Sequence, residues 1–293
     1  MPALATRRDW AGPTDLPALI RLAQRIWTPE RRWHIGDFAW EFGLEPGGRP
    51  TWHLSLWECD GDIAAWGWLT RPDRLSLAID PVHADLLDAV VAWASGVAGV
   101  RVSVTVPSTE RYLTEALVRM GYAPDESGHF FVAHHRALDD IPPSPMLPDG
   151  FRIRPLRGDD EVAARAALHR EVWASTDLTE DVFRAMTRQW PYSFDFDWVA
   201  EAPDGRIVSY ILGWYDDVNR VGEFEPVGTL ASFRRLGLSR ALGIAVLHAF
   251  RDAGGTRAMV YARGDDGYPV PRQVYTALGF QPRGRTVTYR PPV

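Results

Sequence analysis

One pattern constrains this 293-residue chain more than any other: the same order of signals occurs twice. Arg8 opens a segment that runs through TDLPALIRLAQRI to Trp27, and Arg154 opens one that runs through DDEVAARAALHREV to Trp173. Each reads as a short strand, an acidic helix start and an amphipathic helix. Further on, Met120-Gly121-Tyr122-Ala123-Pro124 matches Leu278-Gly279-Phe280-Gln281-Pro282. Each follows a helical pattern and precedes a strand-like run. Two matches in the same order indicate a duplicated unit. Between the copies lies LDDIPPSPMLPDG, Leu138 to Gly150, with four prolines and little that could pack. Such a stretch is an extended spacer. The expected organisation is therefore one domain over 1–137, a linker over 138–150 and a second domain over 151–293.

The second copy gives the fuller element order. Strands are predicted at Phe151–Pro155, Trp198–Glu201, Ile207–Tyr215, Arg220–Thr229, Ala258–Arg263 and Arg285–Tyr289. Helices are predicted at Asp159–Trp173, Thr179–Trp190, Ser239–Ala253 and Val270–Leu278. The first copy follows a similar order, with Trp52–Glu58 and Ile63–Thr70 as its hairpin. Strands and helices alternate, so the class is α/β or α+β.

Composition removes several functions. The single cysteine, Cys59, excludes an internal disulfide and a Cys-rich metal site, and it reads as a small buried residue. All 32 basic residues are arginine, so a lysine Schiff base and a P-loop lysine are excluded. The net charge of −6 argues against a general nucleic-acid binder. No apolar run is long enough for a membrane helix and no secretory signal is evident, so a cytoplasmic location is expected. Of the 13 tryptophans, nine precede residue 150; the copies have diverged in composition.

The chemistry concentrates in GEFEPVGTLASFRRLGLS, Gly222 to Ser239. A strand carrying Glu223 and Glu225 runs into Arg234-Arg235-Leu236-Gly237-Leu238-Ser239, which opens an apolar helix continuing through Arg240. A turn at a helix N-terminus presents unpaired backbone N–H groups, and with the helix dipole these attract an anion. Gly237 and the two arginines suit a pyrophosphate. Further on, Tyr275-Thr276-Ala277-Leu278-Gly279-Phe280 ends a helix and turns into a strand.

The pattern Arg-x-x-Gly-x-(Gly/Ala) after a strand, then a strand, then Tyr-x-x-x-Gly-Phe, resembles the signature of the GNAT superfamily of acyl-CoA N-acyltransferases, over about Phe151–Pro292. The tandem layout looks like two-domain GNAT proteins of the mycothiol synthase kind. The resemblance implies two GNAT-like domains, each a mixed central β-sheet flanked by helices. It implies acetyl-CoA as acyl donor, a small-molecule amine as acceptor, transfer in a ternary complex, and no metal. Its residue-level implications are these. The pyrophosphate would lie on Arg234, Arg235, Leu236, Gly237, Leu238, Ser239 and Arg240. The pantetheine would pair with the strand end at Val227, Gly228 and Thr229. Tyr275 would protonate the departing thiolate. Glu223 or Glu225, two apart on one strand and so on one face, would serve as base, with Glu225 nearer the pantetheine end. Departures are Ser239 for a small Gly or Ala, Leu230-Ala231-Ser232-Phe233 without the common proline, and Asp265-Asp266-Gly267 where an Asn is usual. A non-catalytic acyl-CoA sensor or small-molecule binding module is the alternative; the oligomeric state is open between monomer and homodimer.

In the first copy the matching strand, Arg74–Asp80, runs through Asp80-Pro81-Val82 into a helix expected at His83–Ala94. It has no glycine loop, and Leu117 stands where Tyr275 does. The first half is expected to keep the fold and to have lost acyl-CoA binding. Trp66 and Trp68 share a strand face, with Trp52 and Trp57 on the partner strand, as core packing or as an aromatic wall for an acceptor. His34 reads as a surface histidine. His134 and His135 face opposite ways on a strand. Asp195, Asp197, Asp216 and Asp217 read as solvated loop charges able to attract a cationic amine.

Overall fold

A computed structural model describes residues 5–44, 52–70 and 72–292 of the chain. The first half runs β1 (Thr6–Asp9), α1 (Leu16–Ile26), α2 (Ile35–Gly43), β2 (His53–Cys59), β3 (Asp62–Thr70), β4 (Arg74–Ile79), α3 (Leu86–Ala98), β5 (Ser103–Pro107), α4 (Arg111–Arg119), β6 (Ala123–Asp125) and β7 (Phe131–Ala137). The second runs β8 (Arg152–Pro155), α5 (Val162–Trp173), α6 (Glu180–Met186), β9 (Asp197–Glu201), β10 (Ile207–Asp216), β11 (Val221–Thr229), α7 (Leu238–Asp252), β12 (Arg257–Arg263), α8 (Val270–Ala277) and β13 (Gln281–Arg290). Residues 138–150 contribute neither helix nor strand.

Boundaries shift where local chemistry competes with periodicity. α6 stops at Met186 rather than reaching Trp190, because Arg188 and Gln189 bond three residues back, to Ala185 and Met186, and Pro191 disfavours helix at the residue before it. α3 begins at Leu86 after a short turn at Pro81–His83 and ends at Gly99, which is left-handed at φ 69°. The final strand starts at Gln281, four residues earlier than expected.

The thirteen strands form one sheet, ordered β1-β2-β3-β4-β5-β13-β7-β12-β11-β10-β9-β8, with β6 also on β13. The two halves have exchanged their last strands. β7 continues the second half's sheet beside β12, pairing Ala137 with Arg257 through Phe131 with Arg263. β13 continues the first half's sheet beside β5, pairing Tyr289 with Val104.

The cores interlock as well. Ala39 and Trp40 of α2 belong to the second half's core. Gly36 abuts Trp214 of β10 so closely that a Cβ would lie 2.4 Å from the indole, so only glycine permits this approach. Gln24 of α1 donates to Asp216 at 2.9 Å, and Asn219 donates back to the Gln24 carbonyl at 3.0 Å. The tryptophans divide between two faces. Trp66 is fully buried beneath Trp33 at 4.7 Å, and Trp52 meets Trp68 at 5.8 Å. Trp57 turns to the other face, against Trp93. Cys59 is buried.

Candidate active site

The site begins where two parallel strands part. β11 and β12 pair only over Val221–Glu223 with Arg257–Met259 and then diverge. Opposite β10, β11 carries a bulge between Phe224 and Val227. The extra residue bends the strand and re-aims its side chains. The result is a groove of about 430 Å³, with Glu225, Val227, Gly228 and Thr229 on one wall, Tyr261 and Arg263 on the other, and Tyr275 of α8 inside it. Arg234 and Ser239 stand at one end.

That end is the expected phosphate loop. Gly237 caps α7 with φ 78° and no side-chain cap, leaving the first N–H groups of α7 without a side-chain acceptor. A Cβ at Gly237 would touch nothing, so the demand for glycine is conformational rather than steric. Arg235 is also left-handed at φ 67°. Leu238 is core and pins the turn, while Arg234, Arg235, Leu236 and Arg240 are exposed around it. The Ser239 hydroxyl is engaged with Thr229 at 2.9 Å, and Thr229 with Ser209 at 2.7 Å. The departure at residue 239 thus ties the helix start to the groove wall.

The two candidate carboxylates have different surroundings. Glu225 opens into the groove. Glu223 is 2% exposed, and its Oε2 has no hydrogen-bond partner. Burial pushes Glu223 up to about 8, so it is neutral at pH 7. Its neighbour is His34, whose Nδ1 lies 3.1 Å away. Nδ1 also accepts from the Gly36 N–H, and Nε2 lies 3.3 Å from the Val221 carbonyl. That bonding fixes a neutral ring with Nε2 as donor and Nδ1 facing the Glu223 proton. His34 is therefore no surface histidine: it is fully buried, caps α2 and binds the first half to β11. The sequence signals missed it, because nothing local distinguishes a histidine that another domain will cover.

α2 adds two acids to the same centre. Asp37 and Glu41, one helical turn apart, face the carboxylates of β11. Burial and Glu223 push Asp37 up to about 7; burial and Asp37 push Glu41 up to about 7. Burial, then Glu223, Asp37 and Glu41, hold Glu225 well above the usual carboxylate range. Arg32 is the cation that opposes this drift. The i, i+4 spacing of Asp37 and Glu41 was present in the sequence, but only the fold shows which centre it serves.

Tyr275 is 6% exposed and lies in the groove with Glu225. Burial and Glu225 raise its phenol far above the ordinary tyrosine value, so it carries its proton at all working pH values. His134, contributed by the exchanged strand β7, stands beside its ring with centroids 6.4 Å apart.

A second cavity, of about 800 Å³, meets the groove at Phe131. Trp33, Trp52 and Trp68 form one side, Asp37, Glu41 and Asp177 supply acid, and Arg32 and Arg74 supply base. Its floor is hydroxyl-rich: Thr70, Ser76, Thr105, Thr286 and Thr288. The loop acids fare differently from expectation. Asp197 is buried against Arg165 at 3.0 Å, and Asp216 is buried accepting from Gln24 and Asn219. Neither is solvated, and neither is free for a cationic ligand. Asp265 is held by Arg263.

Residues 163–280 match the Acetyltransferase (GNAT) family model. The second half thus carries a GNAT-family domain. A mycothiol acetyltransferase from Catenulispora acidiphila is 33% identical over 165 residues, which are 53% of this chain and 51% of that protein. One from Nocardiopsis dassonvillei is 28% identical over 286 residues, 84% of this chain and 83% of that protein. The first alignment thus spans about half of the relative's length. Among solved structures, a GCN5-related N-acetyltransferase from Sphaerobacter thermophilus aligns with TM-score 0.63 at 20% identity, over 99% of this chain and 97% of that one. A tandem GNAT protein from the clavulanic acid biosynthesis pathway aligns with TM-score 0.65 at 15% identity, over 98% of each. At such identities these structures speak to the fold, which is the tandem GNAT fold.

Proposed function

We propose that the protein is an acetyl-CoA-dependent N-acetyltransferase of a small-molecule amine, with one working site in the second half. The observation that carries this is the groove between β11 and β12, where an uncapped helix start, an open strand edge, Glu225 and Tyr275 follow one another along one path. On this reading the pyrophosphate rests on the α7 turn and Arg234. The pantetheine pairs with the edge at Val227–Thr229, which lacks a strand partner on that side. The acetyl thioester then lies between Glu225 and Tyr275.

The amine enters through the neighbouring cavity. An ammonium cannot attack a thioester, so a proton must leave first. Glu225 accepts it, by itself or through water; its raised proton affinity brings it nearer to that of an amine, as efficient transfer requires. The nitrogen lone pair adds to the carbonyl carbon, the C–S bond breaks, and Tyr275 protonates the departing thiolate. Proximity supplies much of the rate. Asp37 and Glu41 attract the cation, and Glu225 takes the base role because it lines the groove, whereas Glu223 is buried behind it. We take 1–137 and 151–293 as the two domains, 138–150 as their linker, and the cytoplasm, where acyl-CoA is at hand, as the location. Among the described residues no helix is long and apolar enough to cross a membrane.

The test is thiol release from acetyl-CoA across a panel of amines, including hydroxyl-rich ones. Release that depends on one amine class supports the proposal. Thermal stabilisation by acetyl-CoA with no release across the panel would instead mark a binding-only protein.

A further inference from the structure

We propose that the junction of the two halves holds a second binding site, distinct from the acyl groove, for a small oxyanion of the phosphate or carboxylate class. A pocket of about 230 Å³ lies between the α1–α2 connection and the three central strands that carry the exchange. Pro29 and Glu30 border it on one side; Arg257 and Tyr261 of β12 and Arg283 and Arg285 of β13 border it on the other. Arg285 is engaged by Glu126 at 2.7 Å. Arg257 and Arg283 have no ion-pair partner among the described residues, and Glu30, exposed, is the one acid of the lining. Two unmatched guanidiniums facing one small space suit the forked hydrogen bonding of an oxyanion.

His135 is the independent observation. It is 2% exposed, and neither ring nitrogen has a hydrogen-bond partner. β7 pairs with β12 in unbroken register, Met259 opposite His135 and Tyr261 opposite Ala133. Side chains alternate along a strand, so His135 shares the face of Ala133, Tyr261 and Arg257, all of which line the pocket. Burial, Arg257 and Arg283 push its pKa down to about 4, with Glu30 the opposing charge and His134 a small further push. A buried imidazole with two unmet nitrogens is unfavourable. An anion between the guanidiniums supplies an acceptor and offsets both positive charges at once. Tyr261 also lines the acyl groove, so this site and the reaction site share a wall. The oxyanion is either a group carried by the acceptor or a free anion that tunes the enzyme.

The experiment needs no turnover and so stands apart from the acyl-transfer reading. Inorganic phosphate is titrated into protein carrying Arg234→Ala and Arg235→Ala, which removes the arginines of the other phosphate loop. Binding is read by calorimetry and by the NMR signals of the His135 ring. The expected result is one site in the millimolar range or tighter, with the ring shifting toward its cationic form. Adding Arg257→Gln and Arg283→Gln should weaken binding at least about tenfold (~1.4 kcal/mol) with the melting temperature held as a folding control. Phosphate that binds the quadruple variant equally well, or that leaves the His135 signals unmoved, overturns the proposal. The source is then assigned by kinetics with an active amine: phosphate competing with the amine marks a group of the acceptor, and a non-competitive effect marks a free anion.

Discussion

The same strand geometry occurs twice in this molecule, and only one copy leaves it open. In the first half β4 and β5 pair in parallel over Arg74–Ser76 with Ser103–Thr105; in the second, β11 and β12 pair over Val221–Glu223 with Arg257–Met259. Both pairs then part. Counting back from Gly121 and Gly279, Glu110 and Tyr112 stand where Tyr268 and Val270 border the groove. In the first half the Tyr112 hydroxyl donates to the Ile79 carbonyl at 2.8 Å, and Arg31 clamps Glu110 at 3.2 Å. The strand edge that a pantetheine would use is taken by a side chain. The turns before the helices differ in the same way. The short turn before α3, at Pro81–His83, is capped by Asp80, which accepts from the Val82 N–H at 3.1 Å, whereas the turn before α7, at Ala231–Phe233, has no side-chain cap; α3 itself, like α7, starts without one. The first half thus meets from within the strand-edge carbonyl of Ile79 and the turn N–H of Val82, where the second half leaves its edge and turn open.

The predictions press on that contrast. The largest effect is expected from Tyr275→Phe, which should lower kcat by about 10²–10⁴-fold while leaving acetyl-CoA affinity unchanged. Leu117→Tyr in that background should restore nothing; recovered turnover would mean that the first half is not closed. Next, Arg234→Ala with Gly237→Asp should abolish the rise in melting temperature caused by acetyl-CoA. Asp80→Gly, at the corresponding turn, should leave that rise intact, and a lost rise there would show both halves binding. Third, Arg31→Ala strands the buried Glu110 and should cost about 3 kcal/mol in urea unfolding. The acetyl-CoA affinity of the folded variant should stay within about twofold, since the plug serves the other half.

The smallest effect concerns pH. Glu223 holds its proton to about 8 in the folded protein, against an ordinary value of 4.5. The folded state binds that proton more tightly, so its contribution to stability is fully present below about 4.5 and is lost as pH rises through about 8. Asp37 and Glu41, raised to about 7, act in the same direction. Glu223→Gln removes one part of this dependence. Its melting temperature relative to the unaltered protein should rise between about pH 5 and about pH 9. A constant gap would show that Glu223 does not titrate in this range.

Much of the fold was legible because duplication and periodicity are local properties. The second half's strands and helices fall close to the expected spans, and the glycine turn before α7 forms as its residues dictate. Tyr275 and Glu225, singled out from the sequence, line one groove. Three things were not legible. The strand exchange was hidden because β7 and β13 satisfy the same ladder hydrogen bonds in either pairing. His34 read as a surface histidine and Asp37 carried no signal, since their neighbour, Glu223, lies in the other half. Asp197 and Asp216 looked like loop charges because burial by a distant arginine or glutamine leaves no local trace.

The sequence by itself determined two copies of one α/β unit and the glycine turn that opens α7, because backbone conformation and hydrogen-bonding inventory are written residue by residue. Only the tertiary structure decided that the candidate site draws lining residues from both copies. Packing brings α2 against β11, buries Glu223 and gathers Asp37, Glu41 and Glu225 near it, so that burial and neighbouring carboxyl groups raise proton affinity there. That is a property of the cluster, and no residue carries it alone.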